Sequence, residues 1–262
     1  MVFYVTDNRE IFEEIYSSRE AKGLYSKPAD ILGSHIRGRR IRLAMKVMKK
    51  ELPVLDGLNC LLVCGGTGDL GRVLIDMGVK KVTVSDVSET ALKIAKELEP
   101  RLETKVLDTE ILDLPDGSYD LVMVQDGLHH LARPPLGLTE MLRVARRAVV
   151  VLEPVTGLVA GLFGKDYERL GGHVANYVFR WNRLMFSQVV KSYLLDRPHR
   201  VIFRRIWHHN VILERLARIF GKGRMAVLLS RILELLPAVL FPFGGNQMIG
   251  IVLLKSSISV QK

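Results

Sequence analysis

The chain has 262 residues, 48% hydrophobic and 25% charged, enough to fold around a sizeable core as one domain with insertions, and the absence of internal repeats excludes solenoid architectures. Its net charge of +10 is uneven, because residues 51–164 sum to −6 whereas residues 1–50 and 165–231 sum to +5 and +10. The basic flanks favour an anionic partner, which would be a substrate, a nucleic acid or a membrane surface. The alternative is that the arginines of these flanks lie on solvated helix faces and bind no partner.

The N-terminal stretch MVFYVTDNREIFEEIY has no basic segment followed by an apolar block. We therefore expect neither a signal peptide nor an anchor, and a cytoplasmic location. Apolar residues recur at helical spacing after Asp7, a suitable N-cap, which predicts an amphipathic helix over residues 8–22. A second predicted helix, over residues 30–50, is strongly basic.

From residue 59, short apolar strands alternate with helices. The strands are predicted at CLLVC, KVTVS, TKVL, YDLVMV and AVVVLEP, and the helices from Asp69, over SETALKIAKELE and over GLTEMLRVA. Strands rich in valine and leucine and separated by helices indicate a parallel sheet with helices on both faces. Ligands of such sheets bind beyond the carboxyl ends of the strands.

The first strand leads into a glycine-rich turn, in which Gly66, Gly68 and Gly71 have the spacing G-x-G-x-x-G. Dinucleotide oxidoreductases and S-adenosylmethionine enzymes both place glycines at such a turn, so the spacing alone does not identify the cofactor. Asp86 closes the second strand eighteen positions after Gly68, where a carboxylate can accept hydrogen bonds from the ribose of an adenosine. An acidic residue at this position is expected in both kinds of enzyme.

Residues 106–130, VLDTEILDLPDGSYDLVMVQDGLHH, resemble the class I S-adenosylmethionine-dependent methyltransferases of small molecules. That group has the pattern D-A-x-x-L-P-F-x-D-x-S-F-D, then a strand, then L-H-H-L. The following LTEMLRVARRAVVVLEP is similar to the group's E-x-x-R-V-L-K-P-G-G block and fifth strand. The resemblance covers residues 55–155. A dinucleotide enzyme is the alternative that the glycine spacing leaves open, but the LPDGSYD block has no role in its mechanism.

The resemblance implies an S-adenosylmethionine site, with S-adenosylhomocysteine as the product. The first turn would enclose the methionine and ribose portions, the second strand would end at the ribose, the third at the adenine, and the fourth near the sulfonium. The residues implied are, in that order, Cys64, Gly65, Gly66, Thr67 and Gly68; Asp86 and Val87; Asp108 and Thr109; and Gln125 and Asp126.

The chain departs from the family pattern D-L-G-C-G-T-G at two positions. Leu62 stands at the acidic position, which removes one expected partner for the amino-acid end of the cofactor, and Cys64 replaces a glycine. We expect Cys64 to be a buried, inert thiol. Cys60 and Cys64 lie about 13 Å apart in one predicted strand, too far for a disulfide. The segment RRA at 146–148 also lacks the family's proline and glycines.

Methyl transfer from a sulfonium requires alignment and exclusion of water, and a general base only if the acceptor arrives protonated. His129, after the fourth strand, and His173, in the segment expected to cover the pocket, are candidate catalytic bases. The alternative for each is a histidine hydrogen-bonded to a neighbouring loop. His130 is expected to pack. His208 and His209 are adjacent and would project to opposite sides of a strand, so no metal site is predicted.

A glycine-containing loop to about residue 172 is followed by VANYVFRWNRLMFSQVVKSYLL, predicted to be a helix in the insertion that roofs the substrate in related enzymes. On it, Tyr177 is a candidate catalytic residue, and Arg180 and Trp181 are candidates for binding a planar or anionic acceptor through stacking and paired hydrogen bonds. The alternative is a core stripe of Tyr177, Trp181 and Leu184.

After a strand at HRVIFRRIW, two helices predicted between residues 209 and 236 interleave apolar residues with arginines, among them Arg215, Arg218, Arg224 and Arg231. Such a lid suits a lipid-like acceptor and interfacial contact with an anionic membrane, and packing on the sheet or on a second subunit of a homodimer is the alternative. The uncharged run 235–254 is long enough to span a bilayer, but its prolines and central GGNQ favour a helix end, a loop and a final strand.

These expectations combine into an α/β, Rossmann-like class I methyltransferase fold with a mostly parallel seven-stranded sheet. Residues 1–54 would form N-terminal helices, 55–155 the cofactor-binding core, and 156–262 a helical insertion with the last two strands. The resemblance implies methylation of a small molecule, and the basic flanks and apolar C-terminal helices favour an acceptor that is hydrophobic or anionic. An RNA methyltransferase or nucleic-acid-binding protein is one alternative, favoured by charge but lacking an N/D-P-P-Y/F motif, and a non-catalytic partner that has lost the cofactor is the other.

Overall fold

The computed structural model describes residues 8–21, 31–51, 57–157, 166–170, 173–208, 223–240 and 244–254. Its helices are α1 (Asn8–Ala21), α2 (Ile31–Glu51), α3 (Asp69–Asp76), α4 (Glu89–Leu98), α5 (Pro134–Val144), α6 (Arg183–Leu194) and α7 (Arg224–Leu240). Its strands are β1 (Asn59–Leu62), β2 (Lys81–Asp86), β3 (Glu103–Val106), β4 (Tyr119–Gln125), β5 (Ala145–Leu152), β6 (Tyr167–Leu170), β7 (His173–Tyr177), β8 (His199–Ile206) and β9 (Gln247–Leu254).

Seven of these strands form one sheet in the order β3-β2-β1-β4-β5-β9-β8. The five strands from β3 to β5 are parallel, whereas β9 runs antiparallel to both β5 and β8. The predicted α/β fold with a mostly parallel seven-stranded sheet is therefore confirmed. The strand order reverses between β1 and β4, and this switch point is where open sheets of this kind bind ligands.

Two hydrophobic clusters cover the two faces of the sheet, as the continuous apolar runs require. On one face, α5 and α6 pack over β4 and β5, and Trp181 and Phe186 are fully buried there. On the other face, α2 and α3 cover β1 and β2. The buried apolar side chains described in α2 are Ile41, Ala44, Met45 and Met48, which have the spacing of one helix face. The N-terminal basic helix thus belongs to the core.

The helix predicted from residue 174 is wrong over residues 174–182, because the observed helix begins at Arg183. Residues 173–177 form β7, which pairs antiparallel with β6 in a separate two-stranded sheet, and part of the predicted loop is therefore strand. Helix α6 begins at Arg183, after Asn182, whose Oδ1 accepts a hydrogen bond from the Met185 N–H at 2.9 Å. Valine and tyrosine in VANYV suit a paired strand, and the N-cap fixes a later helix start.

The C-terminal part follows the prediction where it is described. Helix α7 corresponds to the second predicted helix, whereas residues 209–222, with Arg215 and Arg218, lie outside the described residues, as does the predicted N-cap Asp7. The uncharged run 235–254 divides between the end of α7 and β9. Within the described ranges, no helix is long and apolar enough to cross a membrane.

Candidate functional site

A cleft of about 700 Å³ opens at the carboxyl ends of β1, β2 and β4, a volume typical of small-molecule sites. The turns after β1, β2, β3 and β4 and one face of α1 enclose it. Its lining consists of Arg9, Phe12, Tyr16, Cys64, Asp86, Val87, Val106, Leu107, Asp108, Thr109, Glu110, Asp126, Gly127, His130, Leu131 and Ala132. The cleft thus brings together six of the residues implied for the cofactor, from four separate segments of the chain.

The glycine turn after β1 uses conformations that favour glycine. Gly66 and Gly68 have φ angles of 50° and 74°, in the left-handed region. A Cβ on Gly66 would lie 2.6 Å from the Tyr16 hydroxyl, and one on Gly68 would lie 2.8 Å from Leu102. Gly65 donates its N–H to the Ser85 carbonyl at 2.8 Å, which holds the turn against β2.

Asp86 joins the glycine turn to the start of α4. Its Oδ2 accepts the Gly66 N–H at 2.9 Å, and its Oδ1 accepts the Ser88 N–H at 3.1 Å. Burial raises the pKa of Asp86, although these backbone hydrogen bonds favour its ionised form. A carboxylate has about four acceptor positions, so Asp86 retains capacity for further donors at the cleft.

The turn after β3 forms the opposite wall of the cleft. Asp108 Oδ1 accepts the Glu110 N–H at 2.8 Å. Thr109 is buried, and its Oγ1 lies 3.3 Å from Cys64 Sγ. Burial, followed by the charge of Asp86, raises the pKa of the Cys64 thiol, which keeps it neutral. Cys64 has a φ of 48°, so it occupies the backbone conformation of the glycine that it replaces.

Asp126, just beyond β4, is held by an arginine that sequence reasoning missed. Arg40 of α2 is 2% exposed and forms a two-pronged hydrogen-bonded ion pair with the Asp126 carboxylate, with Nη1 to Oδ1 at 2.8 Å. The same Nη1 donates to Gln247 Oε1 at 2.8 Å. Burial opposes ionisation of Asp126, but Arg40 outweighs it, so the pKa of Asp126 lies below its ordinary value.

Gln125, the last residue of β4, has a buried Oε1 without a hydrogen-bond partner among the described residues. It lies next to Asp126 in sequence at the carboxyl edge of the sheet. Native buried polar atoms are generally paired, so an unpaired oxygen at this edge is a candidate contact for a bound ligand.

His129 is anchored by a second residue that the sequence did not single out, the fully buried Glu153 after β5. Glu153 Oε2 lies 2.7 Å from His129 Nδ1, and Oε1 accepts the N–H groups of Gly127 and Leu128 at 2.8 and 2.9 Å. His129 is 5% exposed and does not line the cleft. These contacts fit the alternative of a loop-bound histidine, and its role as a base remains a prediction.

His130 does more than pack. Its ring lies edge-on to Phe12 of α1, with 5.1 Å between the ring centroids, and its side chain lines the cleft. Of the two adjacent histidines, the structure therefore places His130, and not His129, at the cleft.

The residues predicted on the roofing helix do not share a helix. Trp181 is fully buried, with its ring edge-on to Phe179 and Phe186, so it is a core residue without a face for an acceptor. Tyr177 ends β7 and is 74% exposed, with its ring 6.2 Å from that of Tyr167. The core alternative therefore holds for Trp181 and fails for Tyr177.

The other predicted residues of this region are placed as follows. Arg180 lies in the extended segment after β7, with Nη1 3.3 Å from Asp166 Oδ1. His173 begins β7, which contacts the turn at Leu128–His130. Leu184, the last member of the predicted core stripe, is 66% exposed on α6. Within the described part of the chain, no three histidine, cysteine, aspartate or glutamate side chains are grouped to hold a metal ion.

Comparison with known proteins finds similarity in the central part of the chain. Residues 61–152 match the family model described as a methyltransferase domain. The demethylmenaquinone methyltransferase of Staphylococcus aureus (strain MRSA252) is 31% identical over 134 residues, which are 48% of this chain and 55% of the relative. The chain thus spans about half the length of the curated relatives it matches.

Two solved structures share the fold over nearly the whole chain. A chain of the complex between the Haloferax volcanii Trm112 methyltransferase activator and a methyltransferase has a TM-score of 0.60 at 16% identity, covering 91% of this chain and 96% of that one. Magnesium protoporphyrin IX methyltransferase from Synechocystis PCC 6803, with bound SAH, has a TM-score of 0.58 at 14% identity, covering 95% and 100%. Residues 61–152 are therefore similar to a methyltransferase domain, within a chain that shares its overall fold with the Synechocystis enzyme.

Proposed function

We propose that this protein transfers a methyl group from S-adenosylmethionine to a small-molecule acceptor that is hydrophobic or anionic. The observation that carries the proposal is the cleft at the switch point of the sheet, lined by Cys64, Asp86, Asp108 and Asp126. The cofactor supplies a methyl group on a sulfonium, which is already an excellent leaving group. The chain has to bind, align and exclude water.

The residues present fit this cofactor. Gly66 and Gly68 allow the tight turn beside the cleft, because both have positive φ angles and their missing side chains let Tyr16 and Leu102 pack closely. Asp86 would bind the ribose, because it sits at the cleft with acceptor capacity beyond its two backbone donors. Asp108 and Thr109 would face the adenine. Because Leu62 stands where the family has an acidic residue, we propose that Gln125 contacts the methionine end of the cofactor; its buried Oε1 has no partner among the described residues, although Gln125 does not line the cleft.

The cleft rim supports a hydrophobic acceptor with a planar or anionic part. Phe12, Leu131 and Ala132 supply apolar surface, and Arg9 supplies a cation. The small-molecule substrates after which the Staphylococcus and Synechocystis proteins are named support this class of acceptor.

If the acceptor arrives protonated, we propose His129 or His173 as the base. Tyr177 and Arg180 are the proposed contacts from the segment beside the turn Leu128–His130. The buried Glu153 fixes Nδ1 of His129 and thereby its ring orientation, but His129 does not line the cleft, so its role as a base requires a change in the position of the acceptor or of the turn.

Isothermal titration calorimetry with S-adenosylhomocysteine tests the cofactor site. We expect Asp86→Asn and Asp108→Asn each to weaken binding roughly 10- to 100-fold, since each change removes a charge-assisted hydrogen bond to the ligand. Asp113→Asn, at an exposed position near the same turn, is the matched control and should bind like the wild type. Circular dichroism of each variant separates loss of binding from loss of the fold. Absence of heat with the wild type at millimolar ligand would leave the non-catalytic alternative standing.

Incubation with labelled methyl donor and extracts of the native cell tests the acceptor class. We expect label in the lipid or polar metabolite fraction. Label in the nucleic-acid fraction would support the alternative that the net charge favours.

A further inference from the structure

Helix α7 presents a continuous apolar stripe to solvent. Its members are between 51% and 67% exposed and follow one another at intervals of three and four residues; they are Met225, Leu228, Ile232, Leu235 and Val239. This spacing places them on one face of the helix over about 21 Å. Ala226 and Ser230, on the opposite face, are buried, so α7 packs on the protein through that face and turns the stripe outward. Single exposed apolar residues are ordinary, but a contiguous row marks an interaction surface.

Basic groups border the stripe on one side. Arg224 and Arg231 are both exposed, and the helical repeat places both at the same edge of the stripe. Neither forms an ion pair with a described carboxylate. Helix α2 packs against α7 and brings Arg42 close enough that the charge of Arg231, after burial, lowers the pKa of Arg42. Exposed arginines beside an apolar row are complementary to an anionic surface.

We propose that the outer face of α7, composed of the stripe and the bordering arginines, docks on the surface of an anionic phospholipid bilayer. The apolar side chains would enter the boundary between headgroups and acyl chains, and Arg224 and Arg231 would lie at the level of the phosphates. An apolar face bordered by arginines is the arrangement of helices that lie in this interface without spanning it.

A bilayer matches the apolar stripe and the bordering arginines of α7 better than a second copy of the chain does. Pairing of two α7 stripes would cover the apolar rows but would not supply the anionic surface that the arginine borders match. A membrane surface accepts the apolar row and the cations together. This proposal rests on the proposed function only for the purpose of docking, which is the supply of a hydrophobic acceptor. The test of docking requires neither the methyl donor nor the acceptor.

Vesicle flotation of the full chain tests the docking surface. We expect the protein to float with vesicles of equal parts phosphatidylglycerol and phosphatidylcholine, more weakly with phosphatidylcholine alone, and less as salt is added. Leu228→Ser combined with Ile232→Ser should lower the partition coefficient at least tenfold. Arg224→Gln combined with Arg231→Gln should remove the preference for the anionic lipid. Leu184→Ser, which removes an equally exposed side chain from α6, is the matched control and should float like the wild type.

Insertion is tested separately by Ile232→Trp, whose fluorescence should be quenched by brominated acyl chains. Failure of the wild type to float, equal flotation of the Leu228/Ile232 variant, or an unquenched Trp would each overturn the proposal. So would a concentration-dependent dimer that the Leu228/Ile232 changes dissociate, because the stripe would then belong to a second copy. If the proposal fails while S-adenosylhomocysteine still binds, the proposed function is unaffected.

Discussion

At the scale of single residues, Cys64 shows how a departure from the family pattern is accommodated. A side chain at a φ of 48° is strained, and the left-handed region costs a non-glycine residue about 1–2 kcal/mol. The thiol packs beside Thr109 and directly against Gly127, where a Cβ would lie 2.4 Å from that of Cys64. The missing side chain at Gly127 thus makes room for the one added at Cys64. Sequence comparison finds the substitution, but only the fold shows this compensation.

This backbone conformation predicts an inverted order of stability at position 64. Cys64→Gly relieves the strain, whereas Cys64→Ala keeps it, so we expect the glycine variant to be more stable than the alanine variant by about 1 kcal/mol. Urea unfolding measures the difference. Cys60, buried in β1 without a positive φ, is the matched control, and there alanine should exceed glycine by about 0.5–1 kcal/mol. The usual order at both positions would disprove the strain at Cys64.

The cleft residues that sequence reasoning identified lie in local motifs, each within a few positions of a strand end. Arg40, Glu153 and Tyr16 escaped it because their roles depend on distant partners: Arg40 meets Asp126 86 residues away, and Glu153 meets His129 24 residues away. Arg40 is one of several basic residues in a basic helix, and nothing in its spacing marks it as buried.

At the scale of elements, helix α2 has two functions that composition does not separate. Its apolar face, with Met45 and Met48, completes the core on one side of the sheet. Arg40, on the same helix, reaches the carboxyl edge of β4. Residues 173–177 show a different limit of sequence patterns. Their apolar spacing suits a helix and a strand equally, and only the pairing with β6 determines that they form a strand.

Removal of Arg40 should loosen the end of β4. In Arg40→Gln, the Asp126 carboxylate and Gln247 lose their donor, and we expect a loss of about 2–3 kcal/mol in the free energy of unfolding, less than for a fully buried pair because Asp126 is partly exposed. Lys46→Gln, at an exposed position of the same helix, should change stability by less than about 0.5 kcal/mol. Chemical denaturation checks both. Equal stabilities of the two variants would show that the ion pair contributes nothing.

At the scale of the whole molecule, the uneven charge is partly internal. Arg9 and Arg40 of the basic N-terminal flank pair with Glu89 and Asp126 of the acidic core. The parallel sheet and a ligand site beyond the carboxyl ends of its strands could be predicted, because alternating strands and helices specify such a sheet. The sequence could not predict that α1 closes the cleft through Phe12 and Tyr16. An amphipathic pattern identifies the apolar face of a helix, but it does not identify the surface that this face covers.

Glu13 holds this covering helix in place, and its loss should weaken cofactor binding. Its Oε2 accepts the Ser88 hydroxyl at 2.7 Å and the Thr90 N–H at 3.4 Å. Burial opposes its ionisation, but the hydrogen bonds from Thr90 and Ser88 outweigh it, so the pKa of Glu13 lies below its ordinary value. We expect Glu13→Gln to raise the amide exchange rates of α1, and the dissociation constant for S-adenosylhomocysteine, roughly tenfold, as the loss of a charged hydrogen-bond acceptor implies.

The pH dependence distinguishes this contact from a general loss of stability. A carboxylate with a lowered folded pKa stabilises the docked helix at pH values above its unfolded pKa of about 4.3, and this contribution disappears as the pH falls through the lower folded value. The difference between wild type and Glu13→Gln should therefore be full at neutral pH and vanish in acid. Glu14→Gln, at the exposed neighbouring position, should match the wild type throughout. Hydrogen exchange of α1 that is equal in all three proteins at neutral pH would show that Glu13 does not fasten the helix over the cleft.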